Sequence, residues 1–222
     1  MKKPAILLLV FLFNLSAFGQ GKAFIPEPGE GMSLNTSSLM VVGASGAYTS
    51  SLKANSQEFQ LLRENTIGLS HFGVAYGIGY SGHFYHGNLH VDVASNGQQI
   101  LENLDGQSYI SNRLATEYVD GILELRYRSN SNKNGRYTRV YLGGLVGYLT
   151  DSYSYLETEN YRVKFYNIGG FSTLRYGTYL KAGRGPFNLY YYYGFNPIVE
   201  SGVLVQELGA ATSQNIGLSI TL

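Results

Sequence analysis

The chain has 222 residues, of which 44% are hydrophobic and 14% charged, with 20 Tyr, 28 Gly, 5 Pro and no Cys. Without Cys there is no disulfide framework, no thiolate metal site and no lipidated N-terminal cysteine. A formal charge of +1 with no long basic run excludes a general nucleic-acid binder, and charge far below the roughly 25% of an ordinary soluble domain, with abundant Tyr and Gly, points to sheet in an apolar setting.

The chain opens on Lys2 and Lys3, followed by an unbroken apolar run over 5–13. That run is too short to cross a bilayer as a helix. Ala17 and Gly19 put small residues at the −3 and −1 positions, so a signal peptide over 1–19 with cleavage before Gln20 is expected. Its removal takes two lysines and no acid, leaving a mature charge of about −1. Residues 20–38 contain Pro26 and Pro28 and read as an irregular periplasmic leader.

From residue 39 to 222 the pattern is all-β. Alternation with a period of two marks strands near 39–52, 66–80, 83–95, 116–128, 136–150, 161–182, 186–196 and 212–222. In the second, Phe72, Val74, Tyr76, Ile78 and Tyr80 alternate with His71, Gly73, Ala75, Gly77 and Gly79. In the fourth, Val119, Leu123, Leu125 and Tyr127 oppose Asp120, Glu124, Arg126 and Arg128. The sixth changes phase near Tyr166, which implies a bulge there.

The last strand alternates Ile216, Leu218, Ile220 and Leu222 with Asn215, Gly217, Ser219 and Thr221. It carries neither the charge nor the proline that protects a free edge. Its edge is therefore expected to pair with the first strand and close the sheet. Short linkers at 81–82, 130–135 and 183–185 alternate with long ones, the asymmetry of an eight-stranded antiparallel up-and-down transmembrane β-barrel with both termini periplasmic. The Tyr, Val and Leu face would then meet lipid, with Tyr80, Tyr85, Tyr127 and Tyr193 as interfacial residues.

The run from Asn215 through Gly217 and Ile220 to Leu222 resembles the C-terminal insertion signal of outer-membrane barrels, with Leu222 where Phe is commoner. Tyr118-Val-Asp-Gly-Ile-Leu-Glu-Leu-Arg-Tyr127 and the Gly-rich Tyr141-Leu-Gly-Gly-Leu-Val-Gly-Tyr148 resemble the strands of the eight-stranded outer-membrane barrels common in Bacteroidota, the broad PorT-like or OmpA-like family. The resemblance implies residence in the cell outer membrane. It implies as partners outer-membrane lipid (lipopolysaccharide and phospholipid), the barrel assembly machinery during insertion, and a protein at the loops or leader.

The charged residues Asp92, Asp120, Glu124, Arg126, Arg139, Arg175 and Lys181 are all expected to face the lumen, as a structural ionic network more than a conduction or binding site. His71, His86 and His90 are expected there too. His86 and His90 are roughly 13 Å apart along a strand, too far to share a metal, so no metal and no cofactor is expected. An enzyme is disfavoured. Ser70 and His71 are adjacent and point to opposite faces, and Ser81 and His83 fall in an expected turn. The expectation is a non-enzymatic barrel whose long loops serve a structural, adhesive or docking role. A small-solute channel and a lipid-modifying enzyme are the alternatives.

Overall fold

The structure, a computed structural model, describes residues 31–45, 48–67, 71–130 and 137–222. The expected signal peptide, its cleavage site, the leader up to residue 30, Ser70 and the turn residues 131–135 lie outside the described residues.

The chain forms β1 (Met32–Val42), β2 (Asn55–Thr66), β3 (Phe72–His86), β4 (Leu89–Val93), β5 (Gln99–Asn103), β6 (Ser111–Arg128), β7 (Thr138–Glu157), β8 (Arg162–Tyr166), β9 (Leu174–Arg184), β10 (Phe187–Gly194), a single-turn helix α1 (Val205–Leu208) and β11 (Thr212–Thr221). Eight of the strands hydrogen-bond in a ring, in the order β6, β3, β2, β1, β11, β10, β9, β7 and back to β6. The pairings are antiparallel throughout. β11 closes the ring on β1, from Ser33 opposite Thr221 to Val42 opposite Thr212.

The pleat sends alternate side chains inward and outward. On β6, Tyr118, Asp120, Ile122, Glu124, Arg126 and Arg128 are buried inside, while Val119, Leu123, Leu125 and Tyr127 are exposed outside. The same inversion runs around the ring. The interior is polar and the outer wall is apolar, the reverse of a water-soluble sheet.

Several expected elements are redrawn. β1 begins at Met32, inside the expected leader, and ends at Val42. β2 was not expected at all. Its interior face reads Ser56, Glu58, Gln60, Leu62 and Glu64, which lacks the apolar beat that marks a strand. The second expected strand and the start of the third are one strand, β3, which runs unbroken through Ser81 and Gly82, while the rest of the third is β4, outside the ring. Because β3 keeps one phase, Tyr85 faces inward and is buried, not interfacial. His86 and His90 lie off the interior face, and His71 is exposed at the other end. The expected sixth strand splits into β8 and β9 around Asn167, whose positive φ of 56° and the Gly170 turn break the ladder. The bulge falls elsewhere: Glu117 pairs with Asp151 and Tyr118 with Leu149, so Thr150 is the extra residue on β7.

The long connections 43–54, 87–110, 158–173 and 195–211 gather at one end of the ring. There Tyr48, Leu89, Val91, Phe171, Val199 and Leu208 pack on Leu39, Leu114 and Tyr85 from the ring itself. Burying each large apolar side chain contributes about 1.5–3 kcal/mol, enough to hold these loops as a cap. The β4–β5 hairpin docks on β7 through a hydrogen bond between the Val91 N–H and Ser154 Oγ at 3.1 Å, and His90 Nδ1 lies 2.9 Å from the same oxygen.

Gly143 lies flat beneath the Tyr179 ring, where a Cβ would come within 2.1 Å of the ring. Gly143→Ala should destabilise the ring by about 1–3 kcal/mol, read as a lower denaturant midpoint. Burial holds the His90 imidazole below its ordinary 6.5, and the nearby Glu102 and Asp92 only partly offset that. The folded chain therefore takes up this proton less readily than the unfolded chain. Stability should be full above about pH 6.5 and fall as the pH drops below it. Urea midpoints between about pH 7.5 and 5 check this, and His90→Asn should flatten the slope.

Candidate functional site

The densest chemistry lies inside the ring. Near the short-turn end, Arg126 Nε donates to Glu124 Oε1 at 2.5 Å and its Nη1 to Glu64 Oε2 at 2.6 Å. Arg128 grips the same Glu64 with both terminal nitrogens, one at 2.6 Å, and its Nε reaches the Tyr141 hydroxyl at 3.1 Å. Glu124 also accepts from the Tyr179 hydroxyl at 2.7 Å, with Lys181 Nζ 3.4 Å away. Lys181 donates further to Ser33 Oγ at 3.0 Å and Gln60 Oε1 at 2.8 Å. Glu58 takes the Tyr190 hydroxyl at 2.8 Å and the Asn35 amide at 3.0 Å. Arg139 lies against Tyr137, with Nη2 2.9 Å from its hydroxyl.

A second cluster sits higher. Arg175 donates to both oxygens of Asp120 at 3.0–3.1 Å and to Ser81 Oγ at 2.8 Å. Ser81 Oγ in turn donates to Asp120 Oδ2 at 2.7 Å. The guanidinium lies 5.0 Å from the Tyr118 ring and contacts His83 Nε2. A cavity of about 10 Å³ opens beside His83, Tyr118 and Tyr192, room for one water at most.

Six of the seven residues expected in the lumen are therefore brought inside the ring, in two clusters: Asp120, Glu124, Arg126, Arg139, Arg175 and Lys181. Asp92 is not. It sits half-exposed on β4, outside the ring, and caps its neighbour's N–H at 2.7 Å. The chain leaves the ring at Gly87, so alternation past that point says nothing about the interior. Glu58, Glu64 and Gln60 were missed because β2 was missed. The signal that could have found them is their own i, i+2 spacing on a segment flanked by Phe59 and Leu61. Of the C-terminal residues, Asn215 points inward, Gly217 packs against the Thr36 backbone, and Ile220 and Leu222 face out.

Ser81, His83 and Asp120 have the residue types of an acyl-transfer triad but not its wiring. Ser81 bonds Asp120 and Arg175 rather than His83, and all are buried. A nucleophile without its base is not activated. Among the described residues no group of His, Cys, Asp or Glu is placed to hold a metal. No protein-family model, curated protein or solved structure matches the chain.

Buried charges are tolerated only with good partners, and removing one partner costs about 3–5 kcal/mol. Glu124→Ala takes the carboxylate from beside Lys181 and one of the two that Arg126 holds, and should lower stability by that amount in urea titrations. In a double-mutant cycle, Asp120→Asn and Arg175→Gln should each destabilise the ring, and the pair by less than their sum.

Proposed function

We propose that this chain is a non-enzymatic, non-conducting outer-membrane β-barrel of the PorT-like or OmpA-like kind, whose capped loop end serves a structural, adhesive or docking role. Among the described residues no helix is long and apolar enough to cross a membrane, so in this reading the eight ring strands do the crossing. The observation that carries it is the apolar outer wall. Ile78 is 62% exposed, Leu123 60% and Leu189 68%, and Leu142, Val146, Tyr148, Ile216 and Leu218 continue the belt. In water so large a contiguous apolar surface would drive aggregation. In a bilayer it meets lipid, and ring closure leaves no unpaired strand edge in the hydrocarbon. Tyr80, Tyr127, Tyr148 and Tyr193 lie toward the margins of the belt, where aromatic rings suit the interface.

The non-conducting part follows from the filled interior. Tyr141, Tyr179, Tyr190 and Tyr192 are each at most 1% exposed. Eight strands leave room for little more than side chains. The ionic clusters hold one end and the apolar loop cap covers the other. With the interior closed, the surfaces left for function are the loops and the wall. In this reading the barrel assembly machinery inserts the chain, and Ile220 and Leu222 face lipid.

Fractionation of cells by sucrose gradient should recover the chain in outer membrane, starting near Gln20. Recovery in soluble periplasm would overturn the reading. The folded protein should shift in mobility when heated before electrophoresis, and deleting residues 219–222 should abolish the shift. Ile220→Arg should cost between about 0 and 4 kcal/mol according to depth. In planar bilayers the unmodified protein should pass no sustained current; steady ion-selective steps would favour a channel.

A further inference from the structure

Beyond the ring's apolar belt, β6, β7 and β8 bring Arg113, Tyr155 and Lys164 into one outward row, with Ala115, Tyr153 and Tyr166 in the row beneath. The Arg113 guanidinium lies 5.0 Å from the Tyr155 ring, 5.8 Å from Tyr153 and 5.5 Å from Phe84 of β3. Lys164 Nζ lies 3.7 Å from the same Tyr153 ring and 4.3 Å from Tyr166. Two cations thus converge on one aromatic ring. Among the described residues neither has a carboxylate within 4.0 Å, whereas Arg162 one row further out pairs with Glu157 at 2.6 Å. Arg113 Nε is buried and has no hydrogen-bond partner. Aromatic faces orient a cation without neutralising it, so both side chains keep their charge.

A groove of about 560 Å³ runs up the outer wall across β11, β1, β2 and β3, from Ile220 to Phe84. Leu34, Phe59 and Leu218 wall it, and Thr36 and Gly82 leave it open. Phe84 ends the groove and is also a ring that Arg113 covers. The apolar slot and the Arg113 end of the cationic pair therefore meet at a single side chain, which is the layout of an amphiphile. We propose that this is a binding site for one anionic, phosphate-bearing membrane lipid, with an acyl chain in the groove and the phosphate between Arg113 and Lys164. The site rests on the membrane reading above.

The nearby acids refine it. Glu117 and Asp151 oppose each other across β6 and β7, one row below Tyr153, and Glu117 accepts the Tyr80 hydroxyl. They repel a phosphate at that level, so it is confined to the row of Arg113 and Lys164.

The test uses the full chain folded in neutral detergent micelles, doped in turn with phosphatidylglycerol, phosphatidylethanolamine or diacylglycerol, and read by native mass spectrometry. One phosphatidylglycerol should be retained per protein, with the zwitterionic and phosphate-free lipids retained roughly tenfold less. Arg113→Gln with Lys164→Gln should lower phosphatidylglycerol retention by roughly tenfold in protein that keeps its heat-modifiable mobility. Thr36→Phe, which fills the groove without touching either cation, should lower it as well. Equal retention of diacylglycerol, or retention unchanged in the double variant or in Thr36→Phe, overturns the site. Failure to insert into vesicles overturns the membrane reading itself. Insertion with lipid retention blind to these changes overturns only the site.

Discussion

The pairing of β11 with β1 is the interaction on which the rest of the structure depends. It turns a sheet with two edges into a ring with none. Each ring strand then has a hydrogen-bonded neighbour on both sides, and the interior becomes a volume cut off from bulk water. A charge placed there loses its hydration and must recover the difference from a partner. Glu124, Arg126, Glu64 and Arg128 form a chain of such partners across adjoining strands, and Asp120 with Arg175 forms another. The network is a consequence of closure before it is anything else.

Packing inside a narrow ring also dictates where side chains must be absent. Gly143 makes room for the Tyr179 ring, and at Gly147 an added Cβ would lie 2.3 Å from Asp120 Oδ1 and 2.9 Å from Arg175. Large polar side chains thus lie across the floor left by small ones, as close packing requires. The tyrosines serve twice. Their rings fill space and cover the guanidinium groups, as Tyr141 does for Arg126 at 4.7 Å, and their hydroxyls donate to the carboxylates.

The bulge at Thr150 ties the interior to the outer surface. Before it, odd-numbered residues of β7 face inward, from Arg139 to Gly147; after it, Ser152 and Ser154 do. One extra residue therefore turns Tyr153 and Tyr155 outward, beside Arg113 and Lys164, and leaves small hydroxyls to receive the β4–β5 hairpin. The cap and the aromatic, cationic surface share that single irregularity.

The all-β class and the antiparallel closure of the last strand on the first were legible in the sequence, because alternation along β6, β7, β10 and β11 is driven by local contrast between apolar and polar side chains. So was the inward facing of Asp120, Glu124, Arg126, Arg139, Arg175 and Lys181, since each lies on a strand with a clear outward beat. Tertiary structure alone decided the rest. β2 has polar residues on its inner face and only Phe59 and Leu61 to mark its outer one, so its identity as a strand depends on neighbours that supply partners for Glu58 and Glu64. Ser81-Gly82 looks like a turn but continues β3, because hydrogen bonds from β2 and β6 on either side keep it extended. Asp92 alternates correctly yet belongs to a hairpin outside the ring. Period-two patterning records which face a residue takes within its own strand; which sheet that strand joins, and which charges then meet across it, is settled by contacts between residues far apart in the chain.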